Sequence, residues 1–261
     1  MLPLVGKPAS VGETFLFVFD FDDTIIRGNS DELIPKALGV EDEMKAAYFN
    51  PLGRPQWTNL LSSTMSSFTK EDVANIIPTA LKMEPAMQEI FNLLERVRKT
   101  PAPVLVETPK SGIEYAKAVT VDYVIASDAN DVFISESFKQ LLGIDLPAHR
   151  IFSNPFIEIN HDNGDDGKSN GKKSRIDWNM PAGTNNCPHC STVTPNMCKS
   201  VIVQNALNNA AHHLTDVTLV YVGNGSNDAC PIPFSGSRCK HAYTGSKPGI
   251  LCESKGECED I

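Results

Sequence analysis

Phe15 to Asp31 reads FLFVFDFDDTIIRGNSD, and this stretch decides the fold. Its first five residues are apolar without a break. A run without alternation marks a strand covered on both faces, the habit of a parallel sheet. The run ends on carboxylates, and in open α/β sheets ligands gather outside the carboxyl ends of the strands. Two later stretches have the same form. Val121–Ala126, VDYVIA, meets Ser127, Asp128, Ala129 and Asn130; Val217–Val222, VTLVYV, meets Gly223-Asn224-Gly225-Ser226-Asn227-Asp228. Together they predict an α/β fold, a doubly wound parallel sheet of Rossmann-like form with polar groups gathered at one edge.

Asp20 and Asp22 are two residues apart. On a strand that spacing points both carboxylates to one side, with Phe21 facing the other. At about 4 Å and an effective dielectric of about 20, they repel by on the order of 4 kcal/mol. A cation or a retained proton must offset this. Both suit phosphoryl transfer: one carboxylate attacks phosphorus, while the other, protonated, serves the leaving oxygen and then takes a proton from water. An acidic turn after a buried strand is the plainer reading of the short pattern alone.

DxDxT after an apolar strand resembles the haloacid-dehalogenase-like phosphatases. FDFDDTI followed by Asn29-Ser30-Asp31 is similar to the phosphoethanolamine/phosphocholine phosphatase group, whose relatives include pyridoxal phosphate and thiamine phosphate phosphatases. The resemblance runs from Phe15 to the neighbourhood of Ile250. It implies magnesium-dependent hydrolysis of a small phosphomonoester, with Asp20 as nucleophile and Asp22 as general acid/base. Thr24 and Ser127 would hold phosphate, although Ser127 is also a good helix-capping type. Lys199 matches the family's lysine, which neutralises nucleophile and phosphate. A lysine opening the helix Lys199–His213 works against the helix dipole, so it is odd as decoration.

Asp20, the Asp22 main-chain carbonyl, Asn224 and Asp228 would surround Mg2+. Asn224 stands where the family pattern GDGxND has its first aspartate, so weaker magnesium binding is expected. Asp31 and Asp128 match acidic positions that face an amino or trimethylammonium head of the substrate. A rival reading is a phospholigand-binding protein that kept the fold and lost efficient turnover; the intact pair Asp20 and Asp22 argues against it.

Helical patterns between Asp31 and Lys82 are broken by Gly39, Asn50-Pro51, Arg54-Pro55 and Pro78. Glu41–Phe49 and Thr69–Lys82 are the best of them, and Glu84–Lys99 is a strong amphipathic helix. This organisation predicts a helical cap over 31–100. The α/β core then takes 1–30 and 101–261, with a Gly/Cys-rich flap at 154–198. Trp57 and Phe68 either line the cap or fill its core. Residues 100–120 read as an inserted connector, and Asn160–Gly183 as a polar surface loop. The tail past Cys230 offers one strand near His241–Thr244 and an exposed polar end holding Cys252 and Cys258.

Cys187-Pro188-His189-Cys190, with Cys198 following, has zinc-ligand spacing that His189 or His161 could complete. Uncoordinated thiols in a folded flap are the alternative. Seven cysteines make an odd count and the start MLPLVGKPASVGE is a poor signal peptide, which together favour a cytoplasmic setting over a disulfide framework. A net charge of −9 disfavours nucleic acid as a partner. No apolar run reaches membrane-spanning length, so no membrane is expected either. The expected partner is a small-molecule phosphomonoester.

Overall fold

β1 (Glu13–Phe19) lies at the centre of the sheet, between β3 (Tyr115–Asn130) and β7 (Val217–Gly223), and is parallel to both. The structure, a computed structural model, describes residues 13–50, 56–99, 103–106, 115–159, 173–181, 183–187, 190, 195–211, 217–224, 228, 230, 239–243, 250–253 and 257–260. Beyond β7 lies β8 (Cys239–Tyr243), again parallel; beside the C-terminal part of β3 lies β4 (Ile151–Asn154), also parallel. The fold is the doubly wound parallel sheet that the three apolar runs predict.

The period-two geometry of the strands sorts their side chains onto two faces. Leu16, Val18, Val124, Ala126, Leu219 and Tyr221 share a cluster with Ile202, Val203 and Ala206 of α7 (Lys199–Ala211). Phe19, Tyr123, Ile125 and Val222 point the other way. They pack with Phe91 and Leu94 of α5 (Pro85–Lys99) and with Phe133 and Ile134 of α6 (Asp131–Ser137). Phe91 is the hub of that face, its ring 4.9 Å from Phe19, 5.3 Å from Tyr123 and 4.8 Å from Phe138. Each such aromatic contributes roughly 1.5–3 kcal/mol of burial.

Between β1 and α5 come four helices: α1 (Ser30–Ala37), α2 (Glu41–Tyr48), α3 (Trp57–Met65) and α4 (Lys70–Ala80). Thr69 and Asp72 close a capping box on α4. Met44, Leu61, Met65, Val73 and Ile77 enter the same apolar cluster as Phe21, Ile25 and Ile26, so these helices share a core with the sheet.

Four expectations need correction. β1 stops at Phe19, so Asp22 lies in a turn rather than on the same strand face as Asp20. The connector at 100–120 contains β2 (Pro103–Val106), antiparallel to the first residues of β3. Pro103 opens that strand, where a missing N–H is tolerated. The polar loop at 160–183 contains β6 (Lys173–Ile176), antiparallel to β5 (Phe156–Ile159), with buried Phe156 opposite buried Ile176. The polar tail contains β9 (Ile250–Glu253) paired antiparallel with β10 (Glu257–Asp260). Residues 1–12, 107–114 and 160–172, with His161, His189 and Thr244, lie outside the described residues. No helix among the described residues is long and apolar enough to cross a membrane.

Candidate active site

Asp20 is the first residue beyond β1, and its N–H donates to Val222 O at 2.8 Å, so the neighbouring strand fixes its backbone. Its carboxylate is buried and accepts from Lys199 Nζ at 2.7 Å. Lys199, itself buried, also donates to Asp228 Oδ1 at 2.6 Å. Asp228 accepts from the Tyr221 hydroxyl at 2.7 Å and from Asn224 N–H at 3.0 Å. Gly223 makes room for this: a Cβ there would lie 2.7 Å from Asp228 Oδ2.

Burial pushes the Asp20 carboxyl up to about 7; Lys199 opposes that rise, while Asp228 and Asp128 add to it. Burial alone would lower the Lys199 ammonium, but Asp20, Asp228 and Asp128 outweigh it and hold the lysine firmly charged. Burial, then Asp228, raises the Tyr221 phenol well above its usual range, which keeps it a donor.

After Asp20 the chain folds back on itself. Phe21 O accepts from the N–H groups of Thr24, Ile25 and Ile26, and Asp23 sits at φ 52. Asp23 tolerates this left-handed position because its carboxylate accepts from Gly28 N–H at 2.9 Å. The turn carries Asp22 toward α1, where its Oδ1 accepts from Ser30 N–H at 2.7 Å. Desolvation, then Asp31, raises the Asp22 carboxyl well above the usual range; Asp20 is a lesser cause. The repulsion expected between Asp20 and Asp22 therefore acts mainly between Asp22 and Asp31.

Asn29 caps α1 and presents Asp31, whose Oδ2 accepts from the Trp57 indole N–H at 3.2 Å. Burial, then Asp128, pushes Asp31 up to about 8, against the pull of the Trp57 bond. Trp57 thus touches an acidic site residue as well as packing edge-on to Tyr48. Asp128 lies where the register between β3 and β4 slips, between Ala126 and Asn130. Such irregularities re-aim side chains at the rim of a sheet. Ser127 is fully buried with its Oγ accepting from Ala129 N–H at 3.3 Å. Asn130, not Ser127, caps α6.

The fold thus brings together Asp20, Lys199, Asp228 and Asn224 in one group, and Asp22, Asp31 and Asp128 in an adjoining one. Thr24 Oγ1, Ser30 Oγ and Asp31 Oδ1 are buried without a hydrogen-bond partner. Buried oxygens of this kind suit a polar ligand. Asp20 and Asp228, with Asp128 close enough to raise Asp20, face one ammonium, so carboxylate charge is in excess. This oxygen-rich set fits a hard cation such as magnesium. Tyr221 was not anticipated; a tyrosine two residues before the end of a largely aliphatic strand was its signal. Cys230 was also missed: its sulfur joins those of Cys187, Cys190 and Cys198, all within 4.8 Å of one another.

A parallel sheet with a buried aspartate beyond its central strand, a lysine bridging it to a second aspartate, and helices over that edge define a haloacid-dehalogenase-like phosphatase. Residues 15–239 match the family described as Putative Phosphatase, and the chain belongs to that family. Human pyridoxal phosphate phosphatase PHOSPHO2 is 25% identical over 227 residues, which are 84% of this chain and 77% of that protein. Human phosphoethanolamine/phosphocholine phosphatase is 27% identical over 232 residues, 87% of this chain and 73% of that protein. A HAD family hydrolase from Salmonella enterica subsp. enterica serovar Typhi has a similar structure, with a TM-score of 0.50 at 14% identity, covering 87% of this chain and 62% of that one. That last likeness concerns the fold alone.

Proposed function

We propose that this phosphatase hydrolyses a small phosphomonoester with a cationic head, phosphoethanolamine or phosphocholine, through an aspartyl-phosphate on Asp20. The observation that carries the reading is the buried group in which Lys199 joins Asp20 to Asp228. It holds one Asp20 oxygen while the carboxylate keeps its place at the sheet edge. Asp20 attacks phosphorus as the ester P–O bond breaks, and Asp22 gives its proton to the departing oxygen. The raised Asp22 carboxyl supports this role, since it retains a proton to give. Water then attacks phosphorus, Asp22 takes its proton back, and the P–O bond to Asp20 breaks to restore the carboxylate. Lys199 offsets charge on the transferring group throughout.

Asp20, Asp228, Asn224 and the Asp22 main-chain carbonyl would hold magnesium. When bound, the ion supplies positive charge that screens the phosphate oxygens from the carboxylates. Thr24 and Ser127 serve the phosphate. Residues 31–100 act as a cap, except α5, which packs on the sheet, and the Gly/Cys-rich segment 154–198 acts as a flap. Asp31 and Asp128 face the head group: Asp31 Oδ1 is buried without a partner, and a cation there would relieve the repulsion that raises Asp31. Pyridoxal phosphate, favoured by the likeness to PHOSPHO2, or thiamine phosphate is the second reading.

Phosphate release from these four substrates, with and without magnesium, tests the proposal. Phosphoethanolamine or phosphocholine should give the highest kcat/KM, and Asp20→Asn should remove turnover while leaving the fold intact. An Asp20→Asn protein with a tenth of the normal rate would exclude the covalent mechanism.

A further inference from the structure

We propose that Cys187, Cys190, Cys198 and Cys230 bind one zinc ion in an all-cysteine site, and that this ion pins the segments carrying Lys199 and Asp228. The four sulfurs already converge within 4.8 Å of one another, and none is joined in a disulfide. A tetrahedral zinc with bonds of about 2.3 Å holds its sulfurs about 3.8 Å apart. A contraction of at most about 1 Å therefore completes the site. Cys190, Cys198 and Cys230 are buried, while Cys187 is only half-covered. Cys187 and Cys198 line a cleft of about 450 Å³ with Met180, Asn185 and Val201, which gives an ion a way in.

Burial raises the Cys190 and Cys198 thiols, which stay protonated until a metal displaces the protons, and N–H donors already face both sulfurs. The Asn185 amide donates to Cys190 Sγ at 3.5 Å and also to Met197 O at 3.0 Å, which fixes its orientation. Cys198 precedes the first residue of α7, and its sulfur accepts from Val201 N–H at the helix start. Donors of this kind orient metal-bound sulfur and spread its charge. Zinc binding displaces the thiol protons to solvent, so the metal ends bonded to four sulfurs with no change of oxidation state.

The placement gives the ion its consequence. Cys198 is the neighbour of Lys199, and Cys230 is two residues past Asp228. The Ser200 hydroxyl already donates to the Cys230 carbonyl, so the two segments touch. A zinc ion there fixes both ends of the Lys199–Asp228 bridge from outside the phosphate site. The flap segment at Cys187 and Cys190 becomes part of the same knot.

The test uses the full chain purified without chelator, with metal content read by elemental analysis. About one zinc per chain is expected. Cobalt in its place should give the visible bands of a tetrahedral thiolate complex. Cys187→Ser, at the open mouth of the cluster, and Cys230→Ser should each weaken zinc binding at least tenfold. Cys252→Ser should leave it unchanged. A folded, reduced protein that neither contains zinc nor takes up zinc or cobalt overturns the proposal, as does full zinc affinity in Cys230→Ser. Stripping zinc from the wild type at saturating magnesium should lower kcat on p-nitrophenyl phosphate by tenfold or more; an unchanged kcat overturns the pinning role. Metal content is read without turnover, so a failure of the substrate assignment does not touch it.

Discussion

Asn224 separates what a motif shows from what a fold does with it. Its backbone N–H donates to Asp228, a bond that does not use the side chain. An amide oxygen can touch magnesium but adds no charge, and magnesium favours carboxylates. Asn224→Asp should lower the half-saturating magnesium concentration at least tenfold, about 1.4 kcal/mol of binding. Coincident magnesium titrations of the two proteins at saturating substrate would remove Asn224 from the metal set. Asp31 makes a different prediction. Its carboxyl is pushed from 3.8 up to about 8, so between those values the folded chain keeps a proton that the unfolded chain has lost. Stability contributed by this group therefore falls as pH rises across that window. Asp31→Asn should flatten the decline, with a higher Tm than wild type at pH 8, while raising KM for a cationic ester more than for a neutral one. A wild-type Tm that falls no more steeply than the variant's contradicts the assignment.

At the scale of elements, the apolar runs were legible because burial on both faces leaves an unbroken pattern: Leu16 and Val18 meet α7, Phe17 and Phe19 meet the opposite side. Elements held by fewer residues were not. β6 rests on Ile176 against Phe156 within a polar segment, and α1 carries Pro35 inside it, which hides a helix from a reading by breakers. The acids at 20, 31, 128 and 228 could be picked out from their positions after strands and turns. Their grouping came from the resemblance and not from the residues themselves, since it depends on the turn after Phe19 and the register slip after Ala126. Gly223 is where strand geometry and site meet. Gly223→Ala should push the Asp228 carboxylate away from Lys199, costing about 1–3 kcal/mol of stability and at least tenfold in kcat. Denaturant unfolding and a kcat measurement check both halves; a variant with wild-type stability would mean the loop yields freely.

On the scale of the whole molecule, the order of synthesis differs from the order of assembly. β1 is made before both of its neighbours in the sheet, which begin at Tyr115 and Val217. Asp20 meets Lys199 across 179 residues of chain. At roughly 5–20 residues per second, on the order of 10–40 s passes between the emergence of the central strand and that of its second partner. Through that interval FLFVF is a nascent segment with both edges open, the kind of strand that chaperones cover and other chains capture. Asp20 at its end waits as long for its partners, because Lys199 and Asp228 join it only when the sheet closes. On the proposed mechanism the site is assembled only once Asp228 has been made, so a chain truncated before Asp228 should be inactive.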